Sequence, residues 1–169
     1  MTLEEVYFIS EIVATVFVVL SLIAVAIQLN QNTKAVRSSA AMGVSLWNSQ
    51  AFTTLSQDAD QMRVFVQGGS NIDSLDPLDR ARYFSMLNGS VWNWQNMYFQ
   101  WKQNVLDPEL WESQLRLLTN VTSLPGFRTF WAERRDMYSD EFSAFMETEA
   151  FTRKALADFR PMGYPAEDE

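Results

Sequence analysis

The chain of 169 residues contains no cysteine and no histidine. Without Cys it has no disulfide framework, thiolate metal site, iron–sulfur cluster or cysteine nucleophile. Without His it lacks the Ser-His-Asp triad, haem ligation by His, Glu-x-x-His di-iron sites and the commonest general base near neutral pH. Bases are outnumbered: 13 Lys+Arg face 21 Asp+Glu, a formal net charge of −8. That balance argues against a nucleic-acid partner, because affinity for a polyanion comes mostly from Lys and Arg. Strand signals are missing as well. Past residue 30 there is no sustained period-two alternation, whereas three-four spacing recurs throughout. The chain therefore reads as all-α, and nothing in it implies a cofactor or a metal.

What is present is a strong asymmetry. From Ile12 to Leu29 runs an 18-residue uncharged stretch rich in Ile, Val, Ala, Phe and Leu. At about 1.5 Å per residue it spans roughly 27 Å, close to the hydrocarbon core of a bilayer. Extended back to Val6 it gains Tyr7 and Phe8, where an aromatic belt would lie, and Glu11 as its only charge. The opening Met-Thr-Leu-Glu-Glu lacks the positive region of a signal peptide, so residues 6–29 read as an uncleaved transmembrane helix. Orientation follows from charge. Glu4, Glu5 and Glu11 precede or open the apolar run, whereas Lys34 and Arg37 follow it. The positive-inside rule then puts the N-terminus outside and residues 30–160 in the cytoplasm.

The remaining acidity sits at the other end. Residues 1–30 hold three acids and no base, the last three residues are Glu167, Asp168 and Glu169, and the stretch between is nearly neutral. Residues 161–169 are read as an acidic tail. The body between predicts a bundle of about four to five helices. Val36, Ala40, Val44, Trp47, Ala51 and Leu55 recur at helical steps, and no Pro or Gly pair falls between Leu29 and Gln67. The anchor is thus expected to continue as one long helix to Gly68-Gly69, with Gly68 as the residue just past its end and Asn30–Thr33 as the place for a kink. Leu75-Asp76-Pro77 and Leu106-Asp107-Pro108 each place Asp at an N-cap and Pro at the first helical position. Phe84, Leu87, Val91, Trp94, Tyr98, Trp101 and Val105 then mark a packing seam on a helix over 77–104. A helix over 108–121, a turn at Leu124-Pro125-Gly126, a short helix ending near Tyr138 and a last one capped by Ser139 complete the count. The last could end as late as Phe159.

Three sets of residues are candidates for function. On the anchor, Ser10, Ala14, Ser21, Ala24 and Gln28 share a stripe with Phe17, a helix-packing face of the kind small and polar residues provide in lipid. Glu11 is a candidate intramembrane ionisable site, although its place one turn outside the apolar core favours the headgroup zone. The most informative set lies opposite the seam of the 77–104 helix. Between Tyr83 and Trp101 there is no Asp, Glu, Lys or Arg. That face carries Asn88, Trp92, Asn93, Gln95, Asn96, Phe99 and Gln100. Charge depletion with aromatic enrichment marks the centres of interfaces, so these residues are a candidate subunit interface. A central helix of a monomeric bundle would account for the same pattern. Acidic pairs such as Asp76/Asp79 and Glu147/Glu149 are better explained by helix starts and solvation than by metal or acid–base chemistry. The aromatic excess, 14% with six Trp, reads first as core and second as the lining of a lipid or apolar-ligand pocket.

The order of these pieces resembles a recurring group of small bacterial membrane proteins. The likeness lies in Met1–Tyr7 leading into one apolar segment, the polar exit Gln28–Thr33, Leu106–Trp111, Pro125–Trp131, Arg134-Arg135 and Glu141-Phe142. It implies a bacterial protein of the inner membrane with one anchor and a helical body, and it carries over no activity and no catalytic residue. The expected role is therefore that of a non-enzymatic single-span protein. Its partners would be membrane lipids and either further copies of itself or a membrane complex in which it is an accessory subunit. An oligomeric ion channel, with Glu11 carboxylates at a pore mouth, and a lipid or apolar-ligand binder are the alternatives.

Overall fold

The computed structural model describes residues 2–154, and they are all-α, as the spacing predicts. Contacts divide the chain into two units, 1–39 and 40–169. The boundary lies about ten residues beyond the end of the apolar run. The acidic segment 161–169 falls outside the described residues.

The first helix, α1, is Leu3–Gln57. Its start is a reciprocal cap: the Glu5 backbone N–H donates to Thr2 Oγ1 at 3.3 Å, and the Thr2 N–H donates to Glu5 Oε2 at 2.9 Å. Residues 2–39 are exposed throughout. Their apolar stretch is the one helix among the described residues long and apolar enough to cross a membrane, and none of it is buried. Asn30–Thr33 stay helical, with Thr33 Oγ1 donating to the Leu29 carbonyl at 2.9 Å.

The second unit opens on the last part of α1, where Val44 is buried and Ala40 packs against the core. Here the structure corrects the expected boundary. Helix α1 stops at Gln57 because Asp58 takes an extended conformation and its carboxylate accepts from the N–H groups of Asp60 and Gln61, starting α2, Ala59–Ser70. Gly68 and Gly69 lie inside α2 and are buried; Asn71 ends that helix. A 3₁₀ turn, Ile72–Ser74, leads into α3, Pro77–Lys102. The predicted caps are present: Asp76 accepts from Leu78 and Asp79, and Asp107 accepts from Glu109 and Leu110 at the start of α4, Pro108–Thr122. Helix α3 ends in a Schellman arrangement with Asn104 at φ 58°. The Val105 N–H donates to the Gln100 carbonyl and the Asn104 N–H to that of Trp101, both at 2.9 Å.

Helix α5, Pro125–Arg134, and a 3₁₀ turn, Arg135–Met137, precede α6, Asp140–Phe145, which Ser139 caps. A π-helical turn, Met146–Ala150, closes the regular structure among the described residues; Phe159, the latest end expected for the last helix, lies outside them. The core is built by the seam of α3 together with α4, α5 and α6. Phe127, Phe130, Phe142 and Tyr83 are fully buried, and each such side chain contributes roughly 1.5–3 kcal/mol by leaving water. Most of the aromatic excess is spent here. Tyr98 lies 4.7 Å from Phe145, centroid to centroid, and Trp101 stacks on Trp111 at 5.4 Å.

Candidate functional site

Within the second unit the end of α1 and helices α2, α3 and α4 line a partly open apolar cavity of about 240 Å³. Trp47, Asn48, Ala51, Phe52 and Leu55 come from α1, Phe65 from α2, Leu87, Ser90 and Trp94 from α3, and Leu117 and Val121 from α4, with Leu124 just beyond. Helical repetition explains the α1 contribution: 47, 48, 51 and 55 fall on one face, the one that also buries Val44. The Trp47 and Trp94 rings meet at 6.3 Å. No Asp, Glu, Lys or Arg lines this space. Two lining side chains, Asn48 through Oδ1 and Trp94 through Nε1, hold a buried polar atom with no hydrogen-bond partner. Ser90 is satisfied by the Met86 carbonyl at 3.1 Å. The sequence offers Trp47, Ala51 and Leu55 as a packing stripe and Trp94 as a seam residue. That these stripes meet without filling the space between them is not visible in either alone.

The anchor's Ser10, Ala14, Ser21, Ala24 and Gln28 all lie on the continuous helix α1, which puts them on one exposed face. The hydroxyls of Ser10 and Ser21 donate to the carbonyls of Tyr7 and Phe17 at 2.7 and 2.8 Å, so their protons are already used within the helix. Glu11 is exposed.

The amide face of α3 is partly spent inside the chain. Asn88 Oδ1 accepts from the Tyr138 hydroxyl at 2.9 Å, and Gln95 Oε1 accepts from the Ser139 N–H at 2.8 Å. Asn93 lies 3.9 Å from the Met97 sulfur. Phe99 and Gln100 are at most half exposed, the latter with its Oε1 unpartnered. Trp92 lies 5.6 Å from Tyr138 yet keeps 48% of its surface exposed, and Asn96 is exposed. These amides thus tie α3 to the segment before α6, and Trp92 and Asn96 are what remains outward.

The charged groups form clamps. Asp79, buried on α3, accepts from Arg63 at 2.6 Å and Arg82 at 3.1 Å; the same two guanidiniums reach Asp60 at 2.7 and 2.6 Å. Hydrogen bonds from Arg82 and then Arg63 hold the Asp60 carboxyl below its ordinary range. Asp76 is a cap, Asp79 belongs to this clamp, and Glu147 pairs with Arg135 at 2.8 Å. Glu141 is held low by its hydrogen bond from Lys102. Burial pushes the Tyr138 hydroxyl up to about 12, and burial followed by the hydrogen bond to Glu141 raises that of Tyr98. Both phenols stay protonated and act as donors.

Comparison with models of known protein families, with curated proteins and with solved structures finds no match.

Proposed function

We propose that this protein is a non-enzymatic, single-span membrane protein that works as a homo-oligomer, assembled in parallel through the outer face of α1. One observation carries the reading. Within the second unit, opposite the face of α1 that carries Val44, Trp47, Ala51 and Leu55, runs an exposed stripe, Met42, Leu46, Ser49, Thr53 and Ser56, at strict four-three spacing. From Ser38 to Gln57 the helix carries no charge at all, whereas a solvated helix face normally does. In the anchor, Ala14, Ser21 and Gln28 of the small face recur at the same seven-residue interval. Copies inserted in one membrane are parallel, so identical positions meet, and small side chains such as Ser allow close approach. Trp92 and Asn96 on α3 give the assembly a second contact. The acids before the apolar run and Lys34 and Arg37 after it support an N-terminus outside and a cytoplasmic body. The resemblance to small bacterial membrane proteins supports the inner membrane of a bacterium.

The chain has no native Cys, which makes cross-linking clean. In membranes, Ser49→Cys, a near-isosteric change, is expected to form an intermolecular disulfide on mild oxidation. Thr54→Cys, exposed but off the stripe, should form little. Equal cross-linking at both positions, or a strictly monomeric mass in detergent, refutes the reading.

A further inference from the structure

We infer that the end of α1, residues 40–57, is a releasable arm that swings off the second unit about a one-residue hinge at Asp58. In the released state α1 and α2 join as one helix, and the apolar face of the arm and the surface beneath it are uncovered. The inference concerns the inner face of α1 and does not rest on assembly through the outer one.

The arm is weakly held. Of residues 40–57 only Val44 is buried, whereas α3 buries Phe84, Leu87, Val91, Trp94 and Tyr98 along its seam. Trp47, Ala51 and Leu55, on the same face as Val44, line two cavities at once. One is the cavity of about 240 Å³, and the other, of about 270 Å³, extends toward Gln61, Ser85 and Gly89. Empty space beside a side chain forfeits the dispersion contacts that a filled core supplies. Polar contacts do not make up the loss. Among the described residues no hydrogen bond or ion pair joins 40–57 to α2–α6, and Asn48 Oδ1 has no partner. The rest of the unit is pinned: Arg63 on α2 reaches Asp79 on α3 at 2.6 Å, and Asn88 on α3 accepts from Tyr138 at 2.9 Å. A segment with few buried contacts opens at a lower free energy than the fold as a whole.

The hinge is equally local. Asp58 is the one non-helical residue between Gln57 and Ala59, at φ −123° and ψ 102°. Helical geometry there needs a rotation of roughly 140° in ψ, the kind of change that a hinge residue absorbs. A single side chain holds the bend, since Asp58 Oδ1 accepts from the N–H groups of Asp60 at 2.9 Å and Gln61 at 3.1 Å. The straight alternative has support of its own. No Pro or Gly stands at the junction, and Leu55, Met62 and Phe65 carry the apolar stripe across it at helical steps. Docked and released states thus differ by one residue's torsions, one cap and one thinly packed face.

The test is maleimide labelling of single thiols in the full chain, which has no Cys of its own, held in nanodiscs. Val44→Cys places a thiol under the arm, and Val64→Cys places one on α2, at sites 4% and 0% exposed. Each rate is normalised to the same variant in denaturant. Release of the arm alone should label Val44→Cys at least about tenfold faster than Val64→Cys, because sub-global opening precedes global unfolding. Asp58→Ala removes the side chain that holds the bend. It should speed labelling at Val44→Cys about threefold or more, on the scale of a lost N-cap, and leave Val64→Cys unchanged. Should Val44→Cys fail to fold, nitroxides at the exposed positions Thr54→Cys and Arg116→Cys read the same motion in chains diluted with unlabelled protein. Two distances are then expected, with the longer one enriched by Asp58→Ala. Equal labelling at the two thiols, acceleration of both alike by Asp58→Ala, or a single nitroxide distance that Asp58→Ala does not change overturns the inference. A strictly monomeric protein that labels fast at Val44→Cys refutes the assembly and leaves the hinge standing.

Discussion

Gly126 on α5 lies so close to Gly68 on α2 that a Cβ added to it would stand 1.7 Å from the Gly68 carbonyl oxygen. The two backbones touch because neither residue has a side chain. A Cβ on Gly68 in turn would meet the Tyr83 ring at 2.6 Å. The contact joins α2, α3 and α5 at one point, and it explains why α2 carries the buried Gly68 in its interior, where a glycine costs helix stability.

Gly126→Ala should therefore destabilise the second unit by about 3 kcal/mol, the upper end for overpacking, since the obstacle is backbone and cannot rotate away. Gly89→Ala is the control. It is helical, with nothing within 4 Å of an added Cβ, and should gain roughly 0.5–1 kcal/mol. Chemical denaturation followed by circular dichroism reads both. Equal effects of the two substitutions would contradict the close approach.

The Arg63–Asp79–Arg82–Asp60 clamp predicts a pH dependence. The folded-state pKa of Asp60 lies below its ordinary value of 3.8. A depressed carboxylate stabilises the fold above the unfolded value and loses that contribution as pH falls through the folded one. Asp60→Asn should thus be less stable than the parent at pH 7, by an amount that holds down to about pH 4 and shrinks below it. A stability difference that stays constant from pH 7 to pH 2 would remove the clamp from the account.

The two halves of the α3 amide face should separate under mutation. Tyr138→Phe removes the donor to Asn88 and should cost about 1 kcal/mol of stability without changing oligomer mass. Trp92→Arg places a charge on the outward remainder; it should lower the oligomer mass and cost less than about 1 kcal/mol of stability. Size-exclusion light scattering in detergent and thermal melts distinguish them. If Trp92→Arg leaves the mass intact, α3 takes no part in assembly.

Legibility follows range. Asp76, Asp107 and Ser139 are readable as caps because each reaches N–H groups two or three residues ahead. Asp58 does the same, yet no Pro or Gly accompanies it and the apolar stripe runs on to either side, so nothing marks it as a helix start. Gly68 reads as a helix terminus because a buried glycine inside a helix and one just past its end look alike in sequence. The partners of Asn88 and Gln95 stand 50 and 44 residues away, and nothing local announces them.

By itself the sequence determined that the chain is helical, where most of its helices begin, and that one apolar helix near its start is long enough to cross a membrane. Those properties arise from hydrogen bonds and spacing within a few turns. Tertiary structure alone decided that α1 gives way to α2 at Asp58, that two glycines are a crossing point, that part of the amide face is spent internally, and that a charge-free cavity stays open between four helices. Each of these depends on which distant surfaces come within a few ångströms, and packing sets those distances while periodicity does not.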